Sequence, residues 1–345
     1  MNAFDEVWYG HGVVARTARA ALAPASWLYG AGVAAAARKF GRDTGSVHAS
    51  AVPVLSIGNI TAGGTGKTPL AAWAAGACLS RGAKPAIVMR GYGGDEPIVH
   101  ARLNPGVPVV VDVDRVRGVR RARTDGADCA ILDDGFQHRR IARVSDWVLL
   151  GADRWREDLR LLPAGPLREP IDAMARATVA VVTRKNASLG KAEEIASRLR
   201  ARFPRIRTAV CHFAPSALED MRTGNRLPVA WMRGRSIAAT AAIADPDAFF
   251  TQLRDLGADV QEHPFRDHHA FTDAEIGILV RAADRGDGLL CTLKDAVKLA
   301  PRWPDGAAPL LYVSQIVIIE RGANVLDDEL EAVLAARQAA SSTAG

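Results

Sequence analysis

Residues 61–68 read Thr61-Ala-Gly-Gly-Thr-Gly-Lys-Thr68 and stand between an apolar run at 52–57 and a helix-like stretch at 69–80. A short apolar run bounded by turn formers reads as a buried parallel strand. Pro69 suits the first turn of a helix, where its missing N–H leaves nothing unpaired. A glycine-rich turn between such a strand and such a helix points backbone N–H groups inward, and with the positive end of the helix they cradle phosphate oxygens. Thr61, Ala62, Gly63, Gly64, Thr65 and Gly66 supply that backbone, Lys67 reaches the β and γ phosphates, and the Thr68 hydroxyl is placed for Mg2+. A strict Walker-A pattern has glycine where Thr61 stands, but Gly63, Gly64 and Gly66 keep the turn permissive.

Outward from this turn, strand-like runs recur at 86–89, 107–111, 129–132, 147–150 and 179–182, with helical patterns between them. That alternation predicts an α/β fold, a P-loop NTPase-type parallel sheet covered on both faces, over residues 51–212. Periodicity weakens at 213–226, where a domain boundary is expected. A second, smaller α/β domain then occupies 213–335, with strands at 236–243, 288–292 and 310–319 and helices at 246–256 and 273–284. Residues 336–345 are small and polar and read as a disordered tail.

The 345 residues suffice for two domains, and 48% hydrophobic with 24% charged residues argues against both disorder and a polytopic membrane protein. A net charge of +6 favours anionic partners such as phosphates, acidic lipid or nucleic acid. No aromatic and basic stacking platform supports nucleic acid, and no protein partner is evident. Cys78, Cys129, Cys211 and Cys291 are far apart and in apolar surroundings, which predicts buried thiols and a reducing compartment. Asp5 and Glu6 argue against a secretory signal. Residues 20–37 carry no charge and are bracketed by Arg16, Arg19, Arg38 and Lys39, but Pro24, Ser26, Gly30 and Gly32 keep the stretch weakly hydrophobic. Residues 1–50 are therefore expected to form a helical, membrane-facing segment with Trp8, Tyr9, Trp27 and Tyr29 at headgroup level. The alternative is an amphipathic helix packed on its own domain.

Four further segments have chemistry in them. Asp133 and Asp134 end a buried strand, and at least one is expected to face a metal beside the phosphate turn. Arg90 precedes Gly-Tyr-Gly-Gly-Asp95-Glu96; it can neutralise phosphate charge, and the two carboxylates suit activation of an acceptor hydroxyl, although an acidic surface turn would have the same spacing. Asp267-His268-His269 lacks a third metal ligand at a standard spacing, so a histidine assisting a carboxylate base is the more economical reading. Thr292-Leu-Lys294-Asp295-Ala-Val-Lys298 suits either an anionic substrate or a solvated helix start.

Together, Ser26-Trp-Leu-Tyr-Gly30, the segment 58–69, Arg90-Gly-Tyr-Gly-Gly94, Gly94-Asp-Glu-Pro97, Asp133-Asp-Gly-Phe-Gln-His138, Leu162-Pro-Ala-Gly-Pro-Leu-Arg-Glu169, Asp267-His268 and the segment 292–298 resemble the tetraacyldisaccharide 4'-kinase family of lipid A biosynthesis. The resemblance implies transfer of the ATP γ-phosphate to the 4'-hydroxyl of an acylated glucosamine disaccharide 1-phosphate. The reaction would take place at the cytoplasmic face of the inner membrane of a Gram-negative-type bacterium, with peripheral contact to anionic lipid. It implies Lys67 and Thr68 on phosphate and Mg2+, Asp133, Asp134 and Glu96 at the metal, Asp95 as base assisted by His268, and Arg90, Tyr92, Gln137, His138 and Arg168 toward the acceptor. Family members usually have some tens of residues between the two segments that share Gly94 here. The rival readings are another P-loop enzyme, such as a GTP-using metallochaperone or a cofactor-biosynthesis enzyme, and a nucleotide-switched docking module. Against the first stands the lack of an Asn-Lys-x-Asp guanine-reading segment; against the second stand the paired carboxylates.

Overall fold

In the computed structural model, which describes residues 3–42, 47–91 and 94–342, two helices lead the chain, α1 (Ala3–Tyr9) and α2 (Val13–Arg42). Then come β1 (Val54–Asn59), α3 (Lys67–Ser80), β2 (Pro85–Met89), α4 (Glu96–Leu103), β3 (Val109–Val111), α5 (Arg115–Thr124), β4 (Cys129–Asp133), β5 (Ser145–Gly151), β6 (Val179–Arg184) and α6 (Leu189–Arg202). They are followed by β7 (Arg207–Asp220), β8 (Arg226–Pro228), β9 (Ser236–Ala241), α7 (Pro246–Asp255), β10 (Asp259–Pro264), α8 (Asp273–Asp284), β11 (Leu289–Cys291), α9 (Leu293–Leu299), β12 (Leu310–Arg321) and α10 (Ala323–Ser342). The chain forms two units, a larger one from Ala3–Gly91, His100–His212 and Val317–Gly345, and a smaller one that includes Tyr92–Val99 and Phe213–Ile316.

In the larger unit the strands run in the order β3-β2-β4-β1-β5-β6-β7, and every pair is parallel. All six residues of β1 are buried, as a strand covered on both faces requires. Val116, Val119 and Ala122 of α5 pack with Val88, Val110 and Leu132. Ala192, Ile195 and Leu199 of α6 pack with Val148 and Leu150 of β5, while Trp73 of α3 lies 6.4 Å from Trp147 of the same strand. Neighbouring strand residues point to opposite faces, so α3 and α6 cover opposite sides of the sheet. Burial of each such valine, leucine or isoleucine side chain contributes about 1.5–3 kcal/mol. This packing fixes the carboxyl ends of β1 and β4, where strand order reverses about β1 and where ligands of open α/β sheets bind.

In the smaller unit, β10-β9-β11-β12 are parallel neighbours and β8 pairs antiparallel with β7. Phe249, Phe250 and Leu253 of α7 pack on the Ala239 side of β9, and Leu279 and Ala283 of α8 on the Ala238 side. A capping box between Thr272 and Glu275 starts α8.

Residues 317–335 belong to the larger unit and not to the second domain, and 336–342 are the last turns of α10 where a disordered tail was expected. The boundary expected at 213–226 coincides with the start of the smaller unit's main segment at Phe213, although it lies inside β7, which continues to Asp220. Pro215, Ser216, Glu219 and Asp220 dilute its apolar pattern, and only alternate stretches of the strand are buried. The predicted strand at 107–111 begins at Val109; Pro108 lacks the N–H a ladder needs and serves only as acceptor, for Ile87. All four cysteines are buried and unbridged, as the sequence led one to expect.

The expected N-terminal helix is longer than its uncharged core. Among the described residues α2 is the one helix long and apolar enough to cross a bilayer, and little of it is covered. Trp27 and Leu28 are 76% and 77% exposed. The helix is anchored at separate points: Arg19 donates to Val7 O (2.7 Å) and Gly10 O (2.9 Å), Ser26 Oγ donates to Leu161 O (2.9 Å) and accepts from Ala164 N–H (3.0 Å), Tyr29 OH donates to Arg168 O (2.9 Å), and the Arg139 guanidinium lies 5.2 Å from the Phe40 ring centre.

Candidate active site

The carboxyl end of β1 runs into the glycine-rich turn as the sequence predicts. Gly66 caps α3 with φ 85°, a left-handed conformation that glycine adopts without strain, and Gly63 has φ 104°. The turn is tied down around these flexible points. Ala62 N–H donates to Pro166 O (2.7 Å), Asn59 Nδ2 donates to Thr65 Oγ1 (2.9 Å), and Thr183 Oγ1 at the end of β6 donates to Thr65 O (2.8 Å). Gly63 and Gly64 are exposed and nothing lies within 4 Å of where a Cβ would stand, so the turn leaves room for phosphate oxygens. α3 starts at Lys67, and its first N–H groups lack intrahelical partners.

The end of β4 separates the two adjacent aspartates. Asp133 Oδ2 accepts from the Thr68 hydroxyl (3.1 Å) and contacts His100 Nε2 (2.8 Å), while Oδ1 is buried without a hydrogen-bond partner. Asp134 has φ 54°, unusual for a residue with a side chain, and this turns its carboxylate elsewhere. It meets Arg168 Nη1 at 3.0 and 3.1 Å and Lys67 Nζ at 3.7 Å. Burial pushes its carboxyl up, but Lys67 and Arg168 outweigh that and hold it below the usual range. The loop beyond is pinned by Arg143, which donates to Ser56 Oγ (3.0 Å), Gly135 O (3.3 Å), Asp146 Oδ2 (2.9 Å) and His138 O. Gln137 Nε2 is spent on Asn59 O at 2.8 Å. Burial, then the nearby Arg115, push the His138 imidazole down to about 4, so it is neutral at physiological pH.

Of the predicted metal residues, Thr68 and Asp133 therefore meet directly, and Asp134 is committed to two cations. A hard cation takes oxygen donors, and Mg2+ is usually held by one or two carboxylates together with substrate phosphates. The unpartnered Oδ1 of Asp133 beside the Thr68 hydroxyl fits that description. Among the described residues no cluster of three or more His, Cys, Asp or Glu forms a self-sufficient metal cage.

Asp95 and Glu96 fall in the smaller unit, where Glu96 opens α4. Asp95 is only 4% exposed and both its oxygens lack hydrogen bonds, yet Lys298 Nζ approaches Oδ2 to 3.4 Å. The contact is thus an ion pair without hydrogen-bond alignment. Lys298 also donates to His269 O (3.3 Å). Lys294 Nζ lies 2.9 Å from His268 Nε2 and 3.8 Å from Asp267. An ammonium only donates, which assigns the His268 proton to Nδ1. His268 has φ 59° and is the second described residue other than glycine in the left-handed region. His269 turns away to Glu275 (3.0 Å) and stacks on Phe265, a structural role. Asp295 is fully buried and accepts from Ala242 N–H (3.0 Å) and the Thr292 hydroxyl (2.7 Å), so the start of α9 is not solvated at this position. Arg90 is exposed at the end of β2, and Tyr92 lies outside the described residues.

His100, Arg143 and Lys298 were not among the predicted site residues. Lys298 belonged to a segment noted for its charge; His100 on the short, mixed helix α4 and Arg143 in a loop carried no motif.

Comparison with known proteins identifies relatives of the whole chain. A family model described as tetraacyldisaccharide-1-P 4'-kinase matches residues 18–335. A tetraacyldisaccharide 4'-kinase of Anaeromyxobacter sp. strain Fw109-5 is 35% identical, with 100% of both chains covered. One from Ectopseudomonas mendocina is 36% identical over 86% of this chain and 89% of its own. Among solved structures, LpxK from Aquifex aeolicus in complex with ATP is similar with a TM-score of 0.70 and 27% identity, covering 91% of this chain and 99% of that one.

Proposed function

The chain belongs to the tetraacyldisaccharide-1-P 4'-kinase family, and from that premise we infer that it transfers the γ-phosphoryl group of ATP to the 4'-hydroxyl of a tetraacylated glucosamine disaccharide 1-phosphate, a step of lipid A biosynthesis. The observation that carries the reading is the glycine-rich turn joined by Thr68 to the buried Asp133. Phosphoryl transfer leaves little covalent work to the protein; positioning and charge stabilisation dominate.

In this reading the backbone of 61–66 holds the phosphates and Lys67 follows the charge that develops on the transferred group. Mg2+, when bound, would neutralise the β and γ oxygens, held by the Thr68 hydroxyl and Asp133; Glu96 is a further candidate ligand. Asp134, itself fixed by Arg168, keeps Lys67 placed until nucleotide arrives. Asp95, with Lys298 as its countercharge, orients the acceptor hydroxyl and takes its proton, and His268 assists. Arg90, Tyr92, Gln137, His138 and Arg168 are the remaining candidates for acceptor contact, with Gln137 and His138 acting through the loop they belong to.

We place the chain at the cytoplasmic face of the inner membrane, with α2 as the lipid-facing element. Its exposed Trp27 and Leu28, and the basic residues at both ends, support this. Tyr29 and Ser26 connect the same helix to the backbone at 161–168, next to the Arg168–Asp134 pair. Replacing both Trp27 and Leu28 by serine is expected to weaken binding to phosphatidylglycerol vesicles at least tenfold. Co-sedimentation equal to wild type would remove α2 from that role.

Incubation with γ-labelled ATP and tetraacyldisaccharide 1-phosphate in mixed micelles tests the activity. Label is expected in the lipid, dependent on Mg2+. Nucleotide turnover indifferent to the acceptor would favour another P-loop reaction.

A further inference from the structure

His100 has no exposed surface, and its ring is the most enclosed group at the Asp133 carboxylate. We propose that His100 is a positioning residue for the metal-side carboxylate: its Nε2–H holds Asp133 Oδ2 and thereby leaves Oδ1 as the oxygen available to the cation. The inference rests on the kinase reading above.

Three observations carry it. First, Nε2 lies 2.8 Å from Asp133 Oδ2, an oxygen that also receives the Thr68 hydroxyl at 3.1 Å. An ionised carboxylate only accepts, so the imidazole proton is on Nε2. With one oxygen holding two donors, the carboxylate cannot rotate, and the unpartnered, buried Oδ1 is fixed in one direction. The Thr68 hydroxyl, its single proton given to Asp133, keeps its lone pairs for a cation.

Second, Nδ1 of His100 is buried with no hydrogen-bond partner. Burying an unpaired nitrogen is unfavourable, and a phenylalanine of similar shape would avoid it. A merely space-filling role therefore does not account for histidine here; the bond made by the other nitrogen does.

Third, the backbone that carries the ring is braced. His100 O accepts from Asn104 N–H (3.0 Å), and Asn104 Nδ2 donates to Ala72 O of α3 (2.6 Å). The helix that begins with Lys67 and Thr68 thus also braces the turn that carries the imidazole. Groups that orient a metal ligand through a hydrogen bond typically change metal affinity about 10–100-fold when removed.

The test measures ATP binding to the full-length protein by titration calorimetry, in EDTA and across a MgCl2 series. His100→Phe is expected to leave ATP affinity in EDTA within about threefold of wild type and to raise the Mg2+ concentration for half-maximal enhancement about 10–100-fold. His100→Gln, whose amide reaches the Nε2 position, is expected to restore the Mg2+ response to within a few-fold. His100→Asn, chemically alike but one methylene shorter, is expected to behave like phenylalanine; this pair decides the matter if His100→Phe does not fold. An unchanged Mg2+ response in His100→Phe, equal loss of affinity with and without Mg2+, or indistinguishable Gln and Asn variants would overturn the proposal. A wild-type protein whose ATP affinity ignores Mg2+ would instead overturn the kinase reading.

Discussion

Lys67→Ala is expected to slow phosphoryl transfer about 10²–10³-fold, the usual consequence of removing one preorganised charge-stabilising group. The side chain is 14% exposed at the start of α3, and its close charge partner among the described residues is Asp134 at 3.7 Å. Asp134 keeps Arg168 at 3.0 Å after the substitution, so no buried carboxylate is left without a cation. The melting temperature should consequently change by no more than a few degrees while the rate collapses. Single-turnover transfer from ATP, with thermal unfolding as control, measures both. A rate within about threefold of wild type would detach Lys67 from the transferred phosphate.

Asp95→Asn is expected to lower turnover about 10²–10⁴-fold, the range associated with loss of a general base. The asparagine keeps the shape of a side chain that is 4% exposed, so packing is preserved. It removes the charge opposite Lys298, whose ammonium, 17% exposed, retains His269 O as acceptor. ATP affinity should stay near wild type, because the change concerns the acceptor and not the phosphate turn. Reduced kcat with unchanged nucleotide binding is therefore the diagnostic split. A near-normal kcat would remove Asp95 from the base role, and a parallel loss of ATP affinity would point to a structural effect.

The legible part of the fold was the part where local signals agree. A buried apolar strand, glycines at positions that need positive φ, and a helix start with Pro69 all lie within thirty residues of one another, so periodicity and turn chemistry point to one answer. The same holds for β4 and its two aspartates. Their division of labour was not legible, because it depends on the left-handed backbone at Asp134 (φ 54°), which aims one carboxylate at Thr68 and the other at Lys67 and Arg168. His100 escaped notice for a different reason: its partner is 33 positions away, and a lone histidine in a short helix of mixed polarity ordinarily signals nothing. The Asp95–Lys298 pair likewise joins distant segments, and only their common membership of the smaller unit brings them together. The arginine-rich α5 hides its core face, since Val116, Val119 and Ala122 are a thin stripe among cations.

The enclosure of all four thiols has a practical side. Cys78, Cys129, Cys211 and Cys291 are at 0% exposure, each walled in by strand or helix packing. Burial also pushes Cys211 up to about 12, far from the thiolate form in which cysteine reacts. A single engineered sulfhydryl on any outer face of the folded chain would accordingly be the one attachment point for a fluorophore, spin label or crosslinker, with the natural cysteines left in place.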